Sequence, residues 1–336
     1  MNYPEPHSPA QADLVLVTGA SGFIGRHLVS YLGSEGFRVR ALVRKTVGDW
    51  PDSVNVVTGD IRDKQVAQTA AAGCDTIFHS AGKAHNIDEH PQDKEGYRSI
   101  NIEGTRTLLE AAVSTGVKKF VYFSSVKAMG EDANGIDESQ TPKPKTAYGW
   151  SKLEAERLVL DCGRRAGIHS VCLRLPMVYG PGNKGNIVRM ISAIDRGIFP
   201  RLADTGNRRS MVHVTNVVRA AVLAARSSVA NGQCFIVADA EPYSTHALYE
   251  MICAGLGKRM TKWHLPLMLF KAMGLCGDAV KLLIGRRIPI DSDAVEKLTG
   301  SSWYDSKKIA NELGYKPSLG FSNALADMIK WYRTAC

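Results

Sequence analysis

Apolar residues in the first half of the chain fall into short continuous runs divided by stretches of helical spacing. Leu14-Val15-Leu16-Val17 is a run of strand length, and Phe23-Ile24, Leu28-Val29 and Leu32 then recur at the three-to-four-residue step of a helix. Further strand-like runs are Arg38–Val43, Val54–Val57, Asp75–His79, Lys119–Phe123 and Ser170–Leu175. Helical patterns lie between them, at 63–72, at roughly 97–115, and from a start near Ala147. Strands alternating with helices predict an α/β fold, a Rossmann-type doubly wound parallel sheet with right-handed crossovers. Such sheets take ligands at the carboxyl ends of their strands.

Past position 175 the pattern loosens. Gly180-Pro181-Gly182-Asn183 is a loop, followed by a helix near 187–196, a short strand within 208–214, a helix over 216–225 and a strand at 234–237. A helix, a loop at Gly285-Arg286-Arg287 and another helix follow. This predicts a dinucleotide-binding domain over 13–175, to which 212–238 contributes, and a smaller α/β substrate-binding lobe over 176–336. Residues 1–12 read as a flexible tail lacking the basic start and apolar core of a signal peptide. The most hydrophobic stretch, His264 to Ile284, carries Lys271, Asp278 and Lys281, which make it a poor membrane span. It predicts a buried helix or helix pair, with an interfacial helix as the alternative.

The net charge of +9 over 336 residues favours anionic ligands. No Lys/Arg run is long enough to make a nucleic-acid stripe, so nucleic acid is not an expected partner. Seven scattered cysteines without a CxxC pair suggest reduced thiols in a cytoplasmic protein and no metal site.

Two motifs carry the chemistry. Gly19, Ser21, Gly22, Phe23, Ile24 and Gly25 lie between the first strand and the first helix, in the order of a phosphate-binding turn. Gly19 permits the turn, Gly22 lets the main chain approach a pyrophosphate, and Gly25 lets the helix pack on the strand. The spacing is GxxGxxG, not the commoner GxGxxG. The second motif, Tyr148-Gly149-Trp150-Ser151-Lys152, sets a phenol and an ammonium four residues apart on one helix face. The Lys charge, with a cationic nicotinamide, is expected to lower the Tyr pKa. Such a Tyr moves a proton to or from a carbinol oxygen during hydride transfer. Ser125, just past the fifth strand, can bond the same oxygen, or simply cap the backbone.

With these motifs in order, the chain resembles an extended short-chain dehydrogenase/reductase of the nucleotide-sugar epimerase/dehydratase branch. The resemblance runs through TGASGFIG (18–25), GDIRD (59–63), HSAGKAH (79–85), NIEGTRTLLEAA (101–112), FSSVKAMGE (123–131), YGWSK (148–152), LRLPMVYGPG (173–182), NRRSMVHVTNV (207–217) and DSKKIANELGYKP (305–317). It implies Ser125, Tyr148 and Lys152 as the catalytic set. Asp60 and Ile61 would hold the adenine, while Ala81, Gly82, Lys83 and Pro176 would line the cofactor path. Asn101 would sit in the helix backing the site. Ser125, Asn186 and Arg209 would meet the substrate, Arg209 through the diphosphate of a UDP-sugar. A homodimer through the two long helices is the family's habit.

Two departures stand out. Arg44 ends the second strand where NAD users of the family usually have Asp or Glu, so NADP(H) is favoured over NAD(H). Met177 replaces the Asn of the family's LRxxNVYGP pattern, which implies a modified substrate pocket. The resemblance is strongest to bacterial reductases of UDP-4-keto-6-deoxy-N-acetylhexosamine, which form UDP-N-acetylquinovosamine for O-antigen and lipopolysaccharide, and to related hexose 4-epimerases. The leading expectation is therefore a nucleotide-sugar 4-ketoreductase. The alternatives are a UDP-glucose or UDP-N-acetylglucosamine 4-epimerase with tightly held NAD, a dihydroflavonol- or steroid-type reductase, and a non-catalytic redox sensor. Dehydratase activity fits less well, because Val126-Lys127 stands where that branch has an Asp-Glu pair.

Overall fold

The computed structural model describes residues 13–45, 49–83, 91–130, 134–260, 264–284 and 291–335. The expected tail at 1–12 and the loop at 285–287 lie outside them, as do Ala84, His85 and Glu131 of the motifs.

The chain begins with β1 (Leu14–Thr18), α1 (Phe23–Ser34), β2 (Arg38–Val43), β3 (Val54–Thr58), α2 (Lys64–Ala71) and β4 (Thr76–His79). Asp63 starts α2 by accepting the Gln65 and Val66 amides, a side-chain cap for otherwise orphaned donors. A long helical segment follows as α3 (Pro91–Tyr97), a π-helical stretch over Arg98–Glu103, and α4 (Gly104–Ser114). It starts earlier than the sequence predicts, because 91–96 is polar and carries no apolar period. Then come β5 (Lys119–Ser125), a 3₁₀ turn over Val126–Ala128, β6 (Asn134–Ile136), α5 (Ala147–Ala166) and β7 (His169–Leu175).

Strands β1, β2, β3, β4, β5 and β7 join a seven-stranded parallel sheet, completed at its edge by Gln233–Ile236, labelled β10 below. The strand order is β10-β7-β5-β4-β1-β2-β3. The connections reverse direction between β1 and β4, which opens a crevice at the carboxyl ends of those strands. One face of the sheet packs against α1 through Leu28, Val29 and Leu32. The other packs against Leu108, Ala112, Ala155 and Val159 from α4 and α5. With both faces covered, the strands read as near-continuous apolar runs.

The remaining elements are β8 (Met177–Tyr179), α6 (Asn186–Asp195), β9 (Met211–His213), α7 (Val214–Arg226), β10, α8 (Thr245–Leu256), α9 (Leu267–Ile284), α10 (Ser292–Thr299), β11 (Trp303–Tyr304), α11 (Lys307–Leu313) and α12 (Phe321–Ala335). Helices α6, α8 and α12 share a separate core built on Ile191, Ile252, Phe321 and Met328. The expected strand within 208–214 shrinks to β9, because Arg209 bridges instead to Tyr243 and Ser302. No described helix is long and apolar enough to cross a membrane. The expected burial of 264–284 is not met. Among the described residues one stripe of α9 is covered, by α10 and Leu202, and Met268, Leu269 and Leu275 are exposed.

Candidate active site

The turn after β1 is shaped by its glycines. Gly19 has φ +66°, and a Cβ there would lie 2.6 Å from the Ala81 nitrogen at the end of β4. A Cβ on Gly25 would collide with the Gly19 carbonyl, so α1 can sit against the turn only with glycine there. Gly22 donates its amide to the Gly19 carbonyl at 2.9 Å and caps α1 without a side chain. The first-turn amides of α1 therefore face the crevice as a phosphate-sized cradle with a positive dipole end. Ser21 is exposed on this turn, and Phe23 and Ile24 are half-buried behind it. A nicotinamide dinucleotide fits this cradle, which keeps its shape only while Gly19 leaves room for the Ser80-Ala81 main chain.

A chain of close approaches leads from the cradle to the chemical groups. Thr18 Oγ1 accepts the Ala81 amide at 3.3 Å. A Cβ on Gly82 would lie 3.0 Å from Asn101 Oδ1 and 3.9 Å from Lys152 Nζ. Helix α5 is started by Thr146, whose hydroxyl accepts the Gly149 amide at 3.1 Å. Gly149 is pressed against the Lys127 carbonyl, where a Cβ would approach to 2.5 Å. That contact brings Tyr148 to Ser125, and the two side chains are hydrogen-bonded. Ser125 Oγ also accepts the Lys127 amide at 3.2 Å, so it caps the 3₁₀ turn as well.

Lys152 lies one helical turn beyond Tyr148 and is buried. Its Nζ donates to Tyr122 Oη at 3.0 Å and to the Phe123 carbonyl at 2.8 Å. Burial lowers its pKa to about 8, opposed by the negative field of Glu156. Tyr148 departs from expectation. Burial pushes its pKa up to about 12, against the pull of the Ser125 hydrogen bond. Desolvation outweighs any help from Lys152, whose bonds go to Tyr122 and Phe123. The site thus holds Tyr148 as a neutral phenol, the form that donates a proton. With the supporting role for Lys152 that is proposed below, in which its charge steadies a phenolate at Tyr148, kcat/KM is expected to fall as pH rises through about 8. A profile from about pH 6 to 10 that stays flat beyond 9 contradicts this.

The other predicted residues divide by place. Asn101 lies in the π-helical stretch, and its amide is engaged within the protein. It accepts the Lys83 amide at 2.7 Å and donates to the Lys83 carbonyl at 3.2 Å and to Ser151 Oγ at 2.9 Å. Asn101 therefore fixes the loop at Gly82-Lys83 to helix α5. Lys83 pairs with Asp93 and lies over the Tyr97 ring, which meets Tyr148 edge-on at 5.7 Å between centroids. Ile61 is buried against Gly104, leaving chiefly main chain for a ligand. Asp60 accepts a two-pronged bond from Arg62, which holds its carboxyl below the usual range, and Arg44 adds to that field. Pro176 is buried between β7 and β8.

Of the residues expected to meet a substrate, Asn186 is exposed at the first position of α6. Met177 packs against the core of the smaller lobe. Arg209 is half-buried; its Nη1 donates to the Gly300 carbonyl at 3.0 Å. No carboxylate pairs with it among the described residues, and burial lowers its pKa. A desolvated guanidinium of this kind suits a phosphate. No group of three or more His, Cys, Asp or Glu is placed to hold a metal among the described residues.

Several contributors have roles that the motifs do not assign. His79 bridges Thr18 Oγ1 at 2.7 Å and Thr105 Oγ1 at 3.0 Å, and burial drops its pKa to about 3, so it is a neutral strut. Glu156, one turn beyond Lys152, forms a buried pair with Arg174 at 2.7 Å beneath the site. Tyr122, in the middle of an apolar strand, supplies the oxygen that holds Lys152. In the sequence, His79 shows only as part of HSAGKAH, and Glu156 only through its spacing from Lys152 on one helix face.

A crossover sheet with a glycine cradle after β1, and Ser125 at the end of β5 beside Tyr148 and Lys152 of α5, is the setting of a dinucleotide-dependent enzyme. The chain belongs to the NAD dependent epimerase/dehydratase family, which matches it over residues 15–238. It is 30% identical over 313 residues to a UDP-glucose 4-epimerase of Vibrio cholerae, covering 90% of each chain. An N-acetyl-alpha-D-glucosaminyl-diphospho-ditrans,octacis-undecaprenol 4-epimerase of Escherichia coli O157:H7 is 28% identical, over 88% of each. Among solved structures, MoeE5 in complex with UDP-glucuronic acid and NAD superimposes with a TM-score of 0.76 at 28% identity, over 97% of this chain and all of that one. Steroid dehydrogenases also stand among the relatives, at 29% identity.

Proposed function

We propose that the protein is an NADP(H)-favouring reductase of a 4-keto nucleotide sugar, with UDP-4-keto-6-deoxy-N-acetylhexosamine the expected substrate and O-antigen or lipopolysaccharide synthesis its setting. The observation that carries this is the hydrogen bond between Ser125 and a neutral Tyr148, set beside the glycine cradle. Ser125 orients the C4 carbonyl, and Tyr148 gives its proton to the carbonyl oxygen as that oxygen gains charge. The Lys152 ammonium stabilises the phenolate that remains. A bound reduced nicotinamide supplies the hydride. Arg209 takes the substrate diphosphate, which favours a phosphate-bearing sugar over a steroid.

Arg44 is exposed at the end of β2, near Asp60 and Arg62. This clustering supports recognition of a 2′-phosphate. Arg44→Asp is expected to raise the KM for NADPH roughly ten- to a hundredfold and leave that for NADH nearly unchanged. Equal effects on both cofactors contradict the assignment.

The second reading is a 4-epimerase, favoured by the names of two relatives. The two are separated by incubating purified protein with the 4-keto sugar nucleotide and NADPH. Stoichiometric loss of reduced cofactor supports the reductase. Interconversion of C4 epimers without added cofactor, with NAD+ released on denaturation, supports the epimerase.

A further inference from the structure

Helix α9 wears its apolar side outward. The stripe Phe270, Gly274 and Gly277 is buried, and a Cβ on Gly274 would meet Val295 and Ser292 of α10. Phe270 is 2% exposed and joins Leu202 and Val295 in a small satellite core. Helical spacing places Met268, Ala272, Leu275 and Ala279 on the opposite face, and all four are exposed. Met268 is 80% exposed and Leu275 66%. Cys276 and Leu269 widen the same face. A surface helix in water has charges there. Here Lys271 and Asp278 are displaced to the margin between the two faces. A continuous exposed apolar face of this kind marks a docking surface.

Charge says what docks. From Lys258 to Arg287 the sequence holds seven lysines and arginines and a single acid, Asp278. The whole chain is also basic, at +9. Two copies meeting through this face would bring together two segments of the same basic character. An anionic bilayer satisfies both features: the acyl boundary takes the apolar face, and the headgroups take Lys271 at its margin and the basic bias of the sequence around it. We propose that α9 is an interfacial membrane-docking helix, lying flat on an anionic lipid surface. It does not cross the bilayer. Helix α10, packed on the buried stripe of α9, leads into Gly300, whose carbonyl holds Arg209. The inference stands on α9 and does not depend on which C4 reaction the site performs.

The test is flotation of the full-length protein with vesicles of phosphatidylcholine alone and of phosphatidylcholine with phosphatidylglycerol. Wild type is expected to float with the anionic vesicles, less so at high salt, and to stay behind with the neutral ones. Met268→Ser with Leu275→Ser is expected to cut the bound fraction roughly tenfold or more, and Lys271→Glu to weaken it by a smaller factor. Both variants should keep wild-type circular dichroism and turnover of a soluble nucleotide sugar. Failure of wild type to float with anionic vesicles overturns the proposal, as does equal flotation on neutral ones or unchanged binding by the double variant. A dimer in sedimentation velocity that the double variant converts to monomer, with no vesicle binding by wild type, assigns the face to a second copy instead.

Discussion

Replacing Tyr148 by Phe is expected to lower turnover about 10²- to 10⁴-fold, the range a positioned proton donor supplies. Dinucleotide binding should persist, because the cradle is built from main chain at Gly19 and Gly22. The phenol is hydrogen-bonded to Ser125, and its ring meets Tyr97 edge-on. Phe keeps the ring contact, so the fold should hold. Turnover and cofactor titration on the same preparation separate the two roles. A variant retaining more than about a tenth of wild-type kcat would show that the proton comes from elsewhere.

The second large effect is on stability. Arg174 and Glu156 form a buried pair, with Nε and Nη2 both bonded to the carboxylate, and Ser124 donates to the same carboxylate. Removing one partner leaves a desolvated charge without its counter-ion. Arg174→Met is therefore expected to cost about 3–5 kcal/mol, measured by urea unfolding. Glu156→Leu combined with Arg174→Met should recover most of that loss, because an apolar pair carries no such penalty. A single-variant cost below about 1 kcal/mol would mean that water reaches the pair. The same carboxylate helps keep Lys152 protonated, so the double variant should also move the alkaline limb of kcat/KM downward.

Much of this architecture is legible along the chain. Six of the sheet's strands declare themselves as short apolar runs, because a sheet covered on both faces leaves little room for polar residues. The cradle is legible because a left-handed turn and two close backbone approaches each demand glycine at a set position. Tyr148 and Lys152 share a face by simple helical spacing. What stays hidden depends on tertiary placement. Spacing shows that a lysine is near a tyrosine, but not that burial dominates the tyrosine's pKa or that Tyr122 claims the lysine. Arg62's grip on Asp60 is likewise invisible until the turn after β3 is folded. The early start of α3 is missed because its first turns are polar. Helix α9 misleads most: an apolar stretch predicts burial, and only the fold shows which side faces out.

The proposed reaction delivers hydride directly to C4 of a sugar whose carbonyl oxygen is bonded to Ser125 and Tyr148. NADPH carrying deuterium on the transferred face, supplied with the UDP-4-keto-6-deoxy sugar, tests this in one NMR measurement. The expected product carries one deuterium at C4 for each NADPH oxidised. A product without deuterium at C4, or with it at another carbon, would contradict the assignment of Ser125 and Tyr148 to that carbonyl.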